Sequence, residues 1–520
     1  MAMPKISEIL FLFLLVLVVK NEAARILAIY PTPSISHQVA FRPLTLELIK
    51  RGHEVVVITT DPIFRKGEGP TNLTEIDVHD ASYNTWRKGL LESDLTHGSK
   101  NDMIPQMKVM FKLLLKIITV QLHHEEINNI LKGNIKFDLL IHEAFYLSHL
   151  AFAHVLKVPV IQISSLGAVH DVTTIVGAPN HPLLYPDSIQ QKIFNLSLWD
   201  KLNNLYMKYQ MNSEAQRFER GMEDLVKKEF GPHVPAMSEL KKKVDLVMLN
   251  VHSLWEMNRP TPPNMIYLGG LHLKTEKELP NDIKSYLDSS KNGVIYISFG
   301  TNVEPALLPP QKIQALINVF SKLPYDILWK WNRDELPGRS KNIKISKWLP
   351  QADLLRHPKV KLFITQGGLQ STDEAIVAGV PMIGFPMLGD QWYNVAQYVH
   401  HGIGLQMDME TLEEDKFRNA INEVVNNERY RRNIMHLRTI IQDQPQTSLE
   451  RAVWWTEYVI RHRGARHLRS PAANITWAEY LELELVFYVL AACSAFLVAL
   501  IFIVNKVSKM VRLSIKLKSS

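Results

Sequence analysis

From Arg25 the chain runs Arg-Ile-Leu-Ala-Ile-Tyr and enters a loop rich in proline and serine (Pro31, Pro33, Ser34, Ser36). It continues in a helical pattern through Leu44, Leu46, Leu48 and Ile49, closes at Gly52, and gives a second apolar run at 54–60. Strand, helix and strand in so short a stretch make a βαβ unit, which requires a parallel sheet. The alternation returns, with runs 137–142 and 158–164 reading as buried strands around a helical stretch at 148–156. It then restarts, with strands at 294–299, 326–331, 360–365 and 382–385 and helices at 311–323 and 371–378. Between the two sets lies Arg259-Pro260-Thr261-Pro262-Pro263, a stiff stretch that reads as a domain boundary. The predicted class is α/β, two doubly wound domains in series. Residues 103–131 carry Met, Leu and Ile at helical spacing. Such a stripe packs into a core, walls an apolar pocket or touches a membrane.

Both ends of the chain are apolar. Residues 9–19 form an unbroken run after Lys5, with Ala23 and Ala24 at a cleavage point. This predicts a secretory signal peptide, too short to span a bilayer. Residues 486–504 contain no charge, and a helix of that length crosses about 30 Å of hydrocarbon. Lys506, Lys509, Arg512, Lys516 and Lys518 follow with no acid, which places the tail in the cytoplasm and predicts a single-pass type I topology. The expected order is a signal peptide at 1–24, a first domain at 25–258, a linker at 259–263 and a second domain at 264–445. Helices leading to the membrane follow at 446–485, then a transmembrane helix at 486–505 and a basic tail at 506–520. Three Asn-x-Ser/Thr sequons, at Asn72, Asn195 and Asn474, precede the span as this topology requires and are candidate N-glycosylation sites.

Composition narrows the function. The single cysteine, Cys493, falls inside the expected span, so neither a disulfide scaffold nor a cysteine zinc module is available. The net charge of +7 comes mostly from the tail, which leaves the luminal body near neutral. No basic cluster there is interleaved with aromatics, so no nucleic-acid partner is expected.

Ligands of parallel α/β sheets gather at the carboxyl ends of the strands. One such end reads Gln366-Gly367-Gly368, then Ser371 and Glu374. Glycines let backbone N–H groups approach an anion, and the following helix adds its positive end. Trp348 offers a stacking platform for a base, and Gln351 a donor and an acceptor for its edge. Asp390 and Gln391 can grip sugar hydroxyls. Each feature also has a plainer reading: a glycine pair makes turns, a tryptophan packs, and Asp390 caps a helix. His37, just after the first strand, is a candidate general base, with Glu143 to orient it. No G-x-G-x-x-G and no Walker A lysine motif occurs, which leaves a dehydrogenase or a P-loop NTPase unsupported. No Asp-x-Asp occurs either, so diphosphate binding through a carboxylate-held metal is disfavoured. His123, His124, Glu125 and Glu126 do not form H-E-x-x-H and read as a solvated helix face.

Taken together, the segment from Trp348-Leu349-Pro350-Gln351 through Gln366-Gly367-Gly368 to Asp390-Gln391 resembles the signature of the UDP-glycosyltransferases, most of all their insect microsomal members. The resemblance extends to Ser298-Phe299-Gly300-Thr301, to the loop around His37 and to 461–469, and so covers the whole chain. It implies a GT-B fold: two Rossmann-like domains facing a cleft, with the acceptor held by the first and a UDP-sugar by the second. It further implies that Trp348 stacks on uracil and Gln351 bonds to it. Gly367, Gly368 and Ser371 would hold the diphosphate, Glu374 the ribose, and Asp390 with Gln391 the sugar. Ser298 and Thr301 would line the donor side, and His37 would be the catalytic base. Two positions depart from the usual pattern. Gln366 stands where vertebrate members have His, a form similar to insect members that favour UDP-glucose. Glu143 stands where the family has Asp. The tail, Lys516-Leu517-Lys518-Ser519-Ser520, is similar to a di-lysine retrieval signal of the endoplasmic reticulum.

The expected activity is inverting transfer of a hexose, UDP-glucose favoured, to a hydroxyl of a small lipophilic acceptor. The UDP-sugar serves as co-substrate, and no cofactor or metal is expected. The expected place is the endoplasmic-reticulum membrane, catalytic domains luminal and the bilayer a partner through the C-terminal helix. The alternatives are glucuronosyl transfer on the same site and a non-catalytic, membrane-anchored protein that keeps the fold. A homo-oligomer is compatible with the sequence, which carries no signal for or against it.

Overall fold

The computed structural model describes residues 23–93, 103–133, 135–169, 172–301 and 303–518. All but the last two residues of the expected signal peptide lie outside the described residues, as do Ser519 and Ser520.

Seven strands build the first sheet: β1 (Arg25–Tyr30), β2 (Glu54–Thr59), β3 (Leu73–Asp77), β4 (Leu139–Glu143), β5 (Val160–Ser164), β6 (Val244–Leu249) and β7 (Met265–Tyr267). They run parallel in the order β3-β2-β1-β4-β5-β6-β7. The second sheet holds β8 (Val294–Ser298), β9 (Asp326–Lys330), β10 (Ile343–Ser346), β11 (Val360–Thr365), β12 (Met382–Gly384) and β13 (Gly404–Gln406). Its order, β10-β9-β8-β11-β12-β13, is again all parallel. Central strands such as β1 and β8 are Ile- and Val-rich because helices cover both of their faces. In each sheet the order reverses beside the first strand, between β1 and β4 and between β8 and β11. A crevice opens at such a switch point. The register sets Ser298 and Gly384 level with Thr365, so three strands end together at the crevice of the second domain.

Seven helices matter for the site and its anchoring. They are α1 (Ile35–Lys50), α2 (Met103–Leu122), α3 (Leu198–Phe230), α4 (Leu369–Ala378), α5 (Gln391–His400), α6 (Ser448–Arg461) and α7 (Leu483–Lys518). The amphipathic stretch at 103–131 divides into α2 and a short helix, Glu125–Lys132. Leu114, Ile118 and Leu122 of α2 enter the core of the first domain, and Phe111 stacks on Phe218 of α3 at 4.4 Å. That stripe is core packing. Ser197 and Asp200 close a capping box on α3, and Thr447 and Glu450 do so on α6.

The domain boundary lies later than 259–263. Arg259 is buried and donates to the carbonyls of Tyr185 (3.1 Å) and Pro186 (3.4 Å). The Pro-rich stretch is thereby fixed to the first domain and lays β7 beside β6 in the same sheet. The chain crosses over between β7 and the helix Asn281–Ser289, whose Ile283 and Leu287 are buried in a core shared with Val294 and Tyr296 of β8. It later returns: Ala452, Val453 and Val459 of α6 pack with Ile26 of β1 and with Phe41 and Leu44 of α1. The buried Asp245 carboxylate of β6 ties this return down by accepting from the N–H groups of Val160 (3.0 Å) and Ala465 (2.8 Å).

Helix α7 is long and apolar enough to cross a bilayer, and its candidate span, Leu483–Ile515, is not buried against the rest of the protein. Cys493 lies exposed on it. The helix continues through the basic residues to Lys518 instead of ending at 505. The three sequon asparagines differ in environment. Asn195 is exposed, whereas the Asn72 amide donates to the Ile49 and His53 carbonyls, each at 2.9 Å, and that of Asn474 to Ile175 at 3.1 Å.

Candidate active site

At the end of β1 the loop through Thr32 and Ser34 turns directly into α1, and His37 falls in the first turn of that helix. Its ring is mostly enclosed, with 16% of the side chain exposed. Nδ1 meets Oε1 of Glu143 in a very short contact and lies 3.0 Å from the Ser165 hydroxyl. Glu143 is the last residue of β4 and is fully buried. Its other oxygen accepts from Thr32 Oγ1 at 2.5 Å. Because that hydrogen is spent, the Tyr146 hydroxyl, 3.0 Å from Thr32 Oγ1, is the donor of the next bond. Burial and the Glu143 charge push the Tyr146 phenol well up, so it stays neutral. The chain Tyr146–Thr32–Glu143–His37 fixes the imidazole with N–H at Nδ1 toward the carboxylate, which leaves the lone pair on Nε2.

In the second domain the Gln366-Gly367-Gly368 loop connects β11 to α4. Gly367 has φ +91°, and a Cβ there would lie 2.5 Å from Val395 Cγ2, so only glycine fits. Gly368 caps α4 without a side-chain bond; the Leu369 N–H is met by the Asp390 carboxylate, and the first turn presents its N–H groups toward the loop. The Gln366 amide lies against Gly300, where a Cβ would come within 2.2 Å of Nε2, and its Oε1 is buried without a partner. Gln351, Ser371 and Glu374 meet: Gln351 Nε2 donates to Ser371 Oγ (2.9 Å) and Glu374 Oε2 (2.7 Å). Gln351 Oε1 accepts from the Tyr296 hydroxyl at 3.0 Å. Burial raises the Glu374 carboxyl, against the pull of the Gln351 bond. Trp348 stands open to solvent, 67% exposed. Ser298 is buried and accepts from the Gly300 N–H at 3.3 Å, and Thr301 is exposed.

Asp390 precedes α5 but makes no side-chain cap bond to it. Its Oδ2 accepts from Asn394 Nδ2 at 2.7 Å. Burial pushes its carboxyl up to about 6, with the Asn394 bond and the backbone N–H groups of Asp390 and Leu369 opposing that rise. Gln391 spends its Oε1 on the N–H groups of Met387 and Leu388, both at 2.8 Å, and so shapes the loop before α5.

Several residues that sequence reasoning did not single out join the halves. Ser165, whose hydroxyl meets His37, accepts at its carbonyl from Gln370 Nε2 of α4 at 3.2 Å. Asn394 Nδ2 also donates to the Gly367 carbonyl (2.8 Å), and its Oδ1 accepts from the Trp255 indole N–H of the first domain (2.8 Å). Ser165 follows β5 directly, so the strand-end rule points to it; nothing local marks Thr32, Gln370 or Asn394. Among the described residues, no group of three His, Cys, Asp or Glu side chains is placed to hold a metal ion.

Known proteins share this architecture. The UDP-glucose:anthocyanidin 3-O-glucosyltransferase, solved in complex with UDP, matches with a TM-score of 0.55 at 19% identity over 84% of this chain and 99% of that one. The calicheamicin glycosyltransferase CalG4 matches with a TM-score of 0.57 at 15% identity over 85% and 99%. At these identities the likeness establishes the GT-B fold. Sequence relatives go further. The ecdysteroid UDP-glucosyltransferase of Spodoptera littoralis nuclear polyhedrosis virus is 36% identical over 489 residues, 90% of this chain and 94% of the viral one. UDP-glucosyltransferase 2 of Dactylopius coccus is 32% identical over 499 residues, 92% of each chain. The family described as UDP-glucoronosyl and UDP-glucosyl transferase matches residues 25–519, nearly the whole of the sequence. The chain belongs to that family and is a UDP-glycosyltransferase.

Proposed function

We propose that this enzyme transfers glucose from UDP-glucose to a hydroxyl of a small lipophilic acceptor, with inversion and without a metal. The observation that carries the reading is the enclosed His37–Glu143 pair of the first domain, which Ser165 joins to Gln370 of α4 in the second. Glu143 holds Nδ1–H, and Nε2 of His37 takes the proton from the acceptor hydroxyl. The acceptor oxygen forms a bond to the anomeric carbon as the bond from that carbon to the β-phosphate oxygen breaks, and UDP leaves. The N–H groups at the start of α4, with Ser371 and the Gln366 amide, receive the charge on the leaving diphosphate. Trp348 stacks on uracil, Glu374 holds the ribose, and Asp390 with Gln391 holds the sugar. Gln351 bonds to Ser371 and Glu374, which holds the three groups assigned to the nucleotide together.

The uncharged Gln366 and the printed activities of the viral and Dactylopius relatives favour glucose over glucuronate. An ecdysteroid, named for the viral enzymes, is the acceptor to test first. We place the catalytic domains in the endoplasmic-reticulum lumen, anchored by α7, on the strength of the apolar helix, the basic tail and its di-lysine-like end. The test is product analysis: UDP should appear from UDP-glucose only with an acceptor, and a glucoside should form. Equal UDP release without acceptor, or preference for UDP-glucuronate, would contradict the reading.

The position of Asp390 adds a pH signature. Its charged form accepts from sugar hydroxyls, and with a carboxyl near 6 that form is lost as the pH falls through 6. The affinity for UDP-glucose should drop by about tenfold between pH 7 and pH 5, and Asp390→Asn should flatten the profile. Calorimetric titration of wild type and variant with UDP-glucose checks this; an equal fall in both would remove Asp390 from sugar binding.

A further inference from the structure

None of the donor-side residues named above is basic, yet a UDP-sugar brings two phosphates. Lys330 ends β9, the strand that pairs with β8, and so reaches the same crevice from the side away from β11. Its Nζ donates to the Gly300 carbonyl at 2.9 Å and lies 5.0 Å from the centre of the Trp348 ring. Gly300 is also the residue against which the Gln366 amide packs. The ammonium thus sits between the base platform and the loop that leads to the diphosphate. Lys330 is half-buried, and among the described residues no carboxylate pairs with it. Burial lowers its pKa with no acidic group opposing the shift. An ammonium has three donors, and the Gly300 carbonyl takes one. A partly desolvated cation without a counter-ion is costly in a resting site and becomes favourable once an anion arrives.

We propose that Lys330 is a diphosphate-binding residue of the donor site, its ammonium held on the Gly300 carbonyl beside Trp348 and its remaining donors given to the phosphates of the UDP-sugar. The inference rests on the UDP-sugar reading of the site and adds to it a side-chain cation, which Gln366 cannot supply. Trp348 keeps the uracil, the Gly367-Gly368 helix end supplies backbone N–H groups, and Lys330 meets the phosphate charge from the β9 side.

Uridine and UDP share the base and ribose and differ in the phosphates, so the pair isolates this role. The full chain, solubilised in detergent, is titrated with each ligand as wild type, Lys330→Gln and Lys330→Arg. Lys330→Gln should weaken UDP by about tenfold or more and uridine by less than about twofold, and Lys330→Arg should recover most of the loss. If Lys330→Gln does not fold, Lys330→Met, which keeps the apolar stem, carries the same expectation. Equal weakening of both ligands would show that Lys330 only backs the indole, and no weakening of either would show that it is a bystander. Each result overturns the proposal while leaving the donor site in place. Failure of wild type to bind UDP, or unchanged UDP binding in Trp348→Ala, would instead bring down the donor-site reading itself.

Discussion

His37→Ala lowers kcat by about 10²- to 10⁴-fold while UDP affinity stays within about twofold of wild type. The expectation follows from the division of labour between the domains. His37 lies on α1 of the first domain, and the groups assigned to uracil, ribose and phosphate lie on the second. Removing the imidazole takes away the proton acceptor and leaves Trp348, Gln351 and the Gly367-Gly368 loop untouched. It also leaves the buried Glu143 carboxylate with Thr32 as its remaining hydrogen-bond donor, which destabilises the first domain. His37→Gln separates the two effects, because its amide N–H can still serve Glu143 but cannot take a proton at neutral pH. Both variants should lose the same catalytic factor, and the glutamine variant should melt closer to wild type. Turnover near the wild-type rate in either would remove His37 from the role of base.

The second large effect is expected at Trp348. A stacked base is worth about 1–3 kcal/mol, so Trp348→Ala should weaken UDP by about 10- to 100-fold. The indole is 67% exposed, so its loss leaves no cavity in the core and the fold should persist. At saturating UDP-glucose the variant should recover most of its kcat, because the chemistry lies with His37 and the diphosphate loop. Titration with UDP and steady-state kinetics over donor concentration check both halves; unchanged nucleotide affinity would exclude stacking.

Legibility in the sequence followed burial. β1 and β11 match the expected bounds because both faces are covered, so their apolar runs are continuous. β6 is not legible in the sequence: Asp245 interrupts its apolar run, and the partners that make a carboxylate tolerable there, Val160 and Ala465, are remote along the chain. β3 lies at the sheet edge with only Ile76 buried, and β13 has three residues, so neither carries a pattern long enough to read. Helix α3 is largely polar; its few buried side chains pack against α2, and at its end Phe230 meets Phe152. The prolines of 260–263 gave a true local stiffness and a misplaced boundary. Local sequence cannot reveal that Arg259 is clamped by the carbonyls of Tyr185 and Pro186.

The same division holds in the site. His37, Glu143 and the Gly367-Gly368 loop lie at strand ends, which local pattern locates. The roles of Ser165, Gln370, Asn394 and Lys330 arise only when the strands take their order and the two domains meet. Asn394 bonds at once to Asp390, to the Gly367 carbonyl and to Trp255 of the other domain, three partners far apart along the chain or hidden within one helical turn.

The configuration of the product tests the central claim most directly. In UDP-glucose the sugar is α-linked to the diphosphate. A single displacement, with His37 as base and no covalent sugar–enzyme intermediate, gives a β-glucoside. The anomeric proton coupling of the purified product, read by NMR, distinguishes the two forms. A β-linked product is the predicted result; an α-linked product would require retention and would contradict a one-step, base-assisted transfer across this cleft.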